Sequence, residues 1–517
     1  MKNVFVIGIG GTGMRCIENF IHLCAIGMFD DTVVHMLALD TDNNNGNFRR
    51  LSKLVDLYQN INGGNAKSDT LFSAKLKFYQ FSPNYGSNDC TCNKIIDKLS
   101  ASNTVIDEDS RAKLSDLVDL FIRPEVCEMP LAHGYRAQTQ MGSMLMYHAI
   151  LEEAYRAKNQ ESSPLRQFLN EIVGQGAGQQ IFVFGSVFGG TGASTIPVIP
   201  HAFDKAAKIL VSEGTDLISC NHFASVTLTN YFQFNMADIG NEVVAKSDKF
   251  ALNSQAALKF YANDPTVNKV YKRLYLLGRE DIRSIPSGGT GGASQCNPVD
   301  YIELMSAFAA YDFFQACDSL SANPKAFEEN EKNKFVYRSI QADGMLGFSN
   351  FVEGADVEKF MRKLGIMTVA SCLNSAYDYF ENLRKDVVSF DERLLTDYLK
   401  PYFQYYGLEP YVDEKGVPQK GWLNQIVESA QDGGFKEGAF FKPELFNLTT
   451  EKDFKNYKFN ERLYNMESGH SFSVGLLTNK FDVVKKRFNE VKPDRNNSLD
   501  ALLERTYLTL RNLYFNE

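Results

Sequence analysis

The stretch Gln180–His201 reads QIFVFGSVFGGTGASTIPVIPH. Ile181–Phe184 is a short apolar run of β-forming residues. Gly185–Ser194 follows as GSVFGGTGAS, and a helix-like apolar stretch comes next. The order is strand, glycine-rich turn, helix start. Glycines in such a turn let backbone N–H groups approach an anion closely and reach positive φ. The helix start adds unpaired N–H groups and a partial positive charge. Gly189, Gly190, Thr191, Gly192, Ala193 and Ser194 therefore make a candidate phosphate cradle built mostly of backbone, with two hydroxyls added. It is not a Walker loop, because no Gly-Lys-Ser/Thr follows to bring a lysine to the terminal phosphates. The competing reading is a tight strand–helix turn whose small residues serve packing alone.

The N-terminus repeats the pattern. Val4–Phe20 reads VFVIGIGGTGMRCIENF. A buried-looking strand enters Gly8-Ile-Gly-Gly-Thr-Gly13, and a period near 3.6 continues through Cys16, Ile17, Phe20, Leu23 and Cys24. Gly8, Gly10 and Gly13 fit Gly-x-Gly-x-x-Gly, a dinucleotide-binding signal in which Gly11 and Thr12 lie inside the turn. Val33–Asp42, VVHMLALDTD, is a strand ending in Asp40 and Asp42. In a Rossmann enzyme Asp40 would hold the ribose hydroxyls, so an NAD(P)-dependent oxidoreductase is one reading of this end of the chain.

Between and beyond these turns, strands alternate with helices. Asn43–Asn103 is polar and rich in Asn and Gly, which predicts loops and short helices, and Asp107–Leu120 is an amphipathic helix candidate. Leu131–Gly142 is a glycine-bearing loop containing His133, Gly134 and Arg136, and Ser143–Ala157 reads as the helix after it. Pro197–Val211 continues as a helix, Ile218–Leu228 is the next strand region, and Val270–Gly278 is another. Pro298–Cys317 is a long helix, apolar nearly all round, which predicts burial. Asn297 ahead of it and Pro298 at its first turn are start signals. The alternation over residues 1–317 predicts an α/β fold: a mostly parallel sheet with helices on both faces and a long central helix. From about residue 318 to 517 the pattern changes to an α+β character, with a linker-like Asn323–Lys334, a helix over Val357–Lys385, a strand over Ser471–Leu477, and closing helices at Asp482–Val491 and Leu499–Phe515.

Composition narrows the function classes. The chain has 517 residues, 44% hydrophobic and 23% charged, with a formal net charge of −9. Two or three domains are expected at this length. The acidic balance argues against nucleic acid as a partner. Nine cysteines are mostly scattered, with only Cys90-Thr-Cys92 close together, and no metal-ligand spacing is visible. That usage and the absence of a leader pattern predict reduced thiols and a cytoplasmic location, and no apolar run is long enough to span a membrane. No Ser–His–Asp arrangement appears, so no catalytic residue is assigned.

Two glycine turns exceed what a dinucleotide enzyme needs, and their order and spacing resemble the tubulin/FtsZ superfamily. Val6–Gly13 looks like that family's first nucleotide loop and Leu39–Asp42 its second. His133–Gly142 falls where the third, phosphate-sensing loop is expected. Phe188-Gly-Gly-Thr-Gly-Ala193 is similar to the family signature GGGTG(S/T)G, with Phe188 and Ala193 replacing glycines. Ser225–Phe234, containing Asn230, resembles the ribose-contacting strand and loop, and Asn297–Cys317 the central helix. The likeness covers about residues 1–317 and points to a divergent bacterial tubulin-like protein. It implies GTP or GDP with Mg²⁺ as ligand. Asp40 or Asp42 would meet the cation, Arg136 the terminal phosphate, and Asn297, Asp300 and Tyr301 the purine. It also implies self-association into filaments or oligomers under nucleotide control, alone or with other proteins of one bacterial system. The family's acidic activating loop, Asn-x-Asp-x-x-Asp/Glu, is not found after the long helix, so nucleotide binding is better supported than GTP hydrolysis. A non-catalytic scaffold is the third reading.

Overall fold

The computed structural model describes residues 1–42, 45–63, 69–83, 85, 90–101, 120, 122–131, 135, 138–234, 249–280, 282–285, 295–322, 335–340, 350–352, 355–377, 393–407, 411–412, 416–432, 481–492 and 499–514. The expected helix over Asp107–Leu120 and strand over Ser471–Leu477 lie outside the described residues, apart from Leu120.

Seven strands form one sheet: β1 (Lys2–Ile9), β2 (Thr32–Leu39), β3 (Lys75–Phe81), β4 (Gln180–Ser186), β5 (His222–Leu228), β7 (Tyr271–Arg279) and β9 (Phe335–Ile340), in the order β3-β2-β1-β4-β5-β7-β9. Every pairing is parallel. A short parallel pair, β6 (Phe232–Phe234) with β8 (Arg283–Ile285), stands apart. The strand order runs outward in both directions from β1 and β4. Chain direction across the sheet reverses there, and open parallel sheets take their ligands in the crevice outside the strands' C-terminal ends at such a point. The α/β class with helices on both faces is thus present.

The period of two along the strands sorts side chains to the two faces. Val4, Val6, Val34, Met36, Phe182, Phe184, Ala224 and Val226 enter one core. Their neighbours Phe5, Ile7, Leu37, Ile181, Val183 and Phe223 enter the other. The first core is covered by the helices Gly10–Ala25, Gly46–Asn62 and Tyr301–Ala322, the second by Thr139–Ala157, Pro164–Gly174 and Ile199–Leu210. Ile302, Met305, Phe308, Ala309 and Phe313 of the Tyr301–Ala322 helix are fully buried, as its apolar circumference predicts. Its start lies three residues later than the Pro298 signal suggests. Asp300 is the reason: its Oδ1 accepts from the Ile302 N–H (3.1 Å), while Glu303 Oε2 accepts from the Asp300 N–H (3.0 Å). That exchange is a capping box.

The described part of the C-terminal region joins the first core. Phe360, Met367, Tyr402, Trp422, Phe488, Leu503 and Leu510 belong to the same apolar cluster as Val4 and Phe20. Trp422 Nε1 donates to Asn19 Oδ1 (3.0 Å), and its ring lies 4.3 Å from that of His22. Among the described residues no helix is long and apolar enough to cross a membrane.

Candidate functional site

Strands β1 and β4 are neighbours, with Gly8 opposite Phe184, so their two glycine turns leave the sheet side by side. Gly10 opens the first helix with φ +66°, and a Cβ placed on it would stand 3.4 Å from Thr191 Cβ and 3.9 Å from the Gly192 nitrogen. The turns near residues 10 and 190 are therefore in contact at one rim of the sheet, at the point where strand order reverses.

The glycines divide by what surrounds them. A Cβ on Gly13 would meet Phe184 O at 2.7 Å, and one on Gly192 would meet Ser186 O at 2.6 Å. Gly192 lets its helix close against its own strand, and Gly13, whose Cβ would also meet Gly8 C at 2.7 Å, lets the first helix close against β1 and β4 together. Among the described residues a Cβ on Gly189 would meet only Ser186 Oγ, at 3.3 Å. Gly189, Gly190 and Thr191 are only partly buried, so this section of the turn is open to a ligand. Ala193 and Ser194 face the other way. Ala193 packs into the second core and its carbonyl accepts from Tyr261 OH (2.7 Å). Ser194, fully buried, donates to Thr191 O (3.0 Å). Their side chains serve packing, while their place in the short helix Gly190–Thr195 keeps its amides near the crevice.

Asp40 ends β2 on the same rim. It is 4% exposed and accepts from the Thr41 N–H (2.8 Å), the Asp42 N–H (3.4 Å) and Asn45 Nδ2 (3.1 Å). Burial, with the Asp42 charge adding, pushes its carboxyl from the ordinary 3.8 up to about 7, against those hydrogen bonds. Asn45 caps the Gly46–Asn62 helix by accepting from the Asn47 N–H (2.9 Å). Residues 295–297 cross this helix start: the Asn47 N–H donates to Gln295 O (3.1 Å), the Asn297 N–H to Asn47 Oδ1 (3.1 Å), and Arg50 Nη1 to Asn297 O (2.8 Å). Among the described residues, Thr41 Oγ1, Asn47 Nδ2 and Asn297 Oδ1 are buried without partners. Unmet polar atoms are costly to bury, and a polar ligand at this rim would satisfy these three.

The residues expected at the purine are placed differently. Asp300 is 2% exposed, and Arg279 Nη1 donates to both its oxygens at 3.1 and 2.9 Å. Its carboxylate is engaged by that guanidinium and by the helix start. Burial outweighs the Arg279 charge and leaves its pKa raised. Tyr301 is a core residue at 1% exposed, and its N–H donates to Ser429 Oγ (2.8 Å). Asn297 lies at the rim beside Asn47. Asn230 is half-buried in the connection between β5 and β6. Gly134 and Arg136 lie outside the described residues. Tyr135 between them is buried and hydrogen-bonded to Tyr85.

Beneath the first turn is an arrangement that glycine spacing does not reveal. Arg15 is 2% exposed. Its Nε donates to Glu303 Oε1 (2.6 Å), and its Nη2 donates to Tyr231 OH (2.7 Å) and Thr12 Oγ1 (3.3 Å). Tyr231 OH also donates to Glu303. Burial opposes the charge on Arg15, but Glu303 and Tyr231 together hold the guanidinium above its ordinary pKa. The only sequence signal was a lone cation, Met14-Arg15-Cys16, in an otherwise apolar helix start. Asn45, Asn47 and Gln295 were missed because runs of Asn and Gly read as loops.

A separate cavity of about 530 Å³ lies among Val126, Gln138, Met141, Ala257 and Phe260. Its buried lining residues Val126, Met141 and Ala257 belong to the core on the sheet's other face. No family model and no curated protein matches the chain.

Proposed function

We propose that this chain binds a purine nucleotide, GTP or GDP with Mg²⁺, across the crevice where the turns after β1 and β4 meet, in the manner of the tubulin/FtsZ superfamily. The observation that carries the reading is the contact of those two turns: Gly10 and Thr191 abut at the switch point of a parallel sheet. Amides of Gly10–Gly13 and Gly189–Gly192 would then hold one chain of phosphates. Asn297 Oδ1, buried without a partner among the described residues, is the rim atom that would meet the nucleoside. Asp300 would not read the base, because Arg279 holds it. A guanine preference therefore rests on the resemblance, with the Asn297 amide as the candidate reader.

Asp40 and Asp42 fit a magnesium ion held through water. Asp40 is a buried carboxylate whose charge is under-compensated, and a nearby cation would relieve it. Magnesium would neutralise phosphate charge there. The crevice lies at one rim of the sheet, open to cover by a second copy, which is the basis for proposing nucleotide-dependent self-association. No residue is assigned to hydrolysis.

The same strand order also serves dinucleotide-binding enzymes. Those enzymes, however, leave the acid at the end of β2 free for a ribose, whereas Asp40 here accepts from its own turn. Isothermal titration with GTP, GDP, NADH and NADPH in the presence of Mg²⁺ decides between them. Saturable guanine-nucleotide binding supports the proposal and pyridine-nucleotide binding replaces it. No binding of any of the four leaves a scaffold.

A further inference from the structure

Three side-chain nitrogens converge on Gly11. A Cβ placed there would stand 3.0 Å from Asn47 Nδ2, 3.3 Å from Asn45 Nδ2 and 3.8 Å from Arg15 Nη1. All three are donors. The Asn47 amide is oriented by its own contacts, because its Oδ1 accepts from the Asn297 N–H, which leaves the NH₂ as the end facing Gly11. That NH₂ is buried and has no partner among the described residues. Arg15 is 98% buried, by its 2% exposure, and its three hydrogen bonds engage Nε and Nη2, leaving Nη1 without a partner among the described residues. The helix geometry accounts for the aim: Gly11 and Arg15 are four residues apart on one face, and side chains tilt toward the helix N-terminus.

A guanidinium and an amide NH₂ offer donors only, so what completes this corner is an acceptor-rich group. We infer that Asn47 Nδ2 and Arg15 Nη1 form an anion subsite beside Gly11, with Arg15 as the cation that anchors a ligand's phosphate in a cradle lacking the Walker lysine. This rests on the nucleotide reading of the crevice and names the residue that supplies its charge. Glu303 shares the same guanidinium from the Tyr301–Ala322 helix, so it sets how much of the Arg15 charge the ligand meets. Arriving phosphate and Glu303 compete for one cation, and the affinity of the crevice is tied to the central helix.

The test is titration calorimetry with GTP, inorganic pyrophosphate and guanosine on four full-length proteins: wild type, Arg15→Gln, Glu303→Gln and the double variant. The double variant removes both charges of the pair together, and circular dichroism melts report that each protein is folded. The expected result is a loss of roughly tenfold to a hundredfold for GTP and pyrophosphate in Arg15→Gln and in the double variant, the scale of one charged hydrogen bond. Guanosine affinity stays unchanged. Glu303→Gln moves the other way and tightens pyrophosphate several-fold, a sign that a merely structural ion pair would not produce. Wild-type affinity for pyrophosphate in a folded double variant overturns the inference while GTP binding by the wild type keeps the nucleotide site. An equal loss for guanosine overturns it too, by placing Arg15 at the base. If the wild type binds neither GTP nor pyrophosphate, the crevice reading falls and the Arg15 subsite with it.

Discussion

Gly192 and Gly63 show two different demands on a glycine. A Cβ on Gly192 would press on the backbone at Ser186 O, 2.6 Å away, whereas Gly63 has φ +57° and a Cβ there would meet nothing within 4 Å among the described residues. Gly192→Ala should therefore cost more than about 2 kcal/mol, and Gly63→Ala about 1 kcal/mol from strain alone. Urea denaturation of the two variants compares them directly, and equal costs would contradict the close packing of the second turn. Gly190 is partly buried in the open section of that turn. Gly190→Asp should leave stability nearly unchanged and abolish nucleotide binding, by setting a carboxylate among phosphates; retained affinity in calorimetry would remove the turn from the site. Asp40 carries a pH signature. Its carboxyl rises from 3.8 to about 7 on folding, so the folded chain holds a proton that the unfolded chain releases. This contribution to stability is full below about pH 3.8 and is lost as pH rises through about 7, on the order of a few kcal/mol. Asp40→Asn should flatten that part of the stability–pH curve measured by urea melts, and a curve identical to wild type would show that Asp40 titrates normally.

The start of the Tyr301–Ala322 helix is organised by charge as much as by apolar pattern. Asp300 caps it, pairs with Arg279 at 1% side-chain exposure, and stands next to the residue whose N–H reaches Ser429. Removing one partner of such a buried pair leaves an uncompensated charge, which costs roughly 3–5 kcal/mol. Asp300→Asn should lower the melting temperature strongly while leaving the ratio of GTP to ATP affinity unchanged. A shifted ratio in a protein of near-normal stability would return Asp300 to the purine edge. Much of this element was legible beforehand. Its apolar circumference announced a buried helix, while the start signals at Asn297 and Pro298 placed its beginning three residues early. What spacing could not say is that Arg279, 21 residues upstream on β7, would claim the Asp300 carboxylate. Ion pairs of that kind depend on which strand lies beside which helix.

At the scale of the molecule, the described C-terminal helices close the first core and are tied to it by Lys363. Its side chain is fully buried and donates to Gly27 O (2.8 Å) and Asp30 Oδ2 (3.1 Å), with Asp69 Oδ1 at 3.2 Å. Burial lowers its pKa even with Asp30 and Asp69 beside it. Lys363→Met should loosen the Ala355–Tyr377 helix, seen as faster amide exchange there and around residues 27–30, because Asp30 loses its buried counter-charge. Exchange unchanged in both segments would show that apolar contacts alone hold the helix.

The residues by themselves determined the α/β class, the two strand–glycine–helix units and the buried central helix. Those properties are local: periodicity, turn chemistry and helix-start signals act over a few neighbours. Only the tertiary structure decided that the turns near 10 and 190 touch, because contact across 180 residues depends on β1 pairing with β4. It alone turned Ala193, Ser194 and Tyr301 inward and gave Asp300 to Arg279. It also set Arg15, Asn45 and Asn47 around Gly11, since a cation in an apolar helix becomes informative only when its burial and its partners are known.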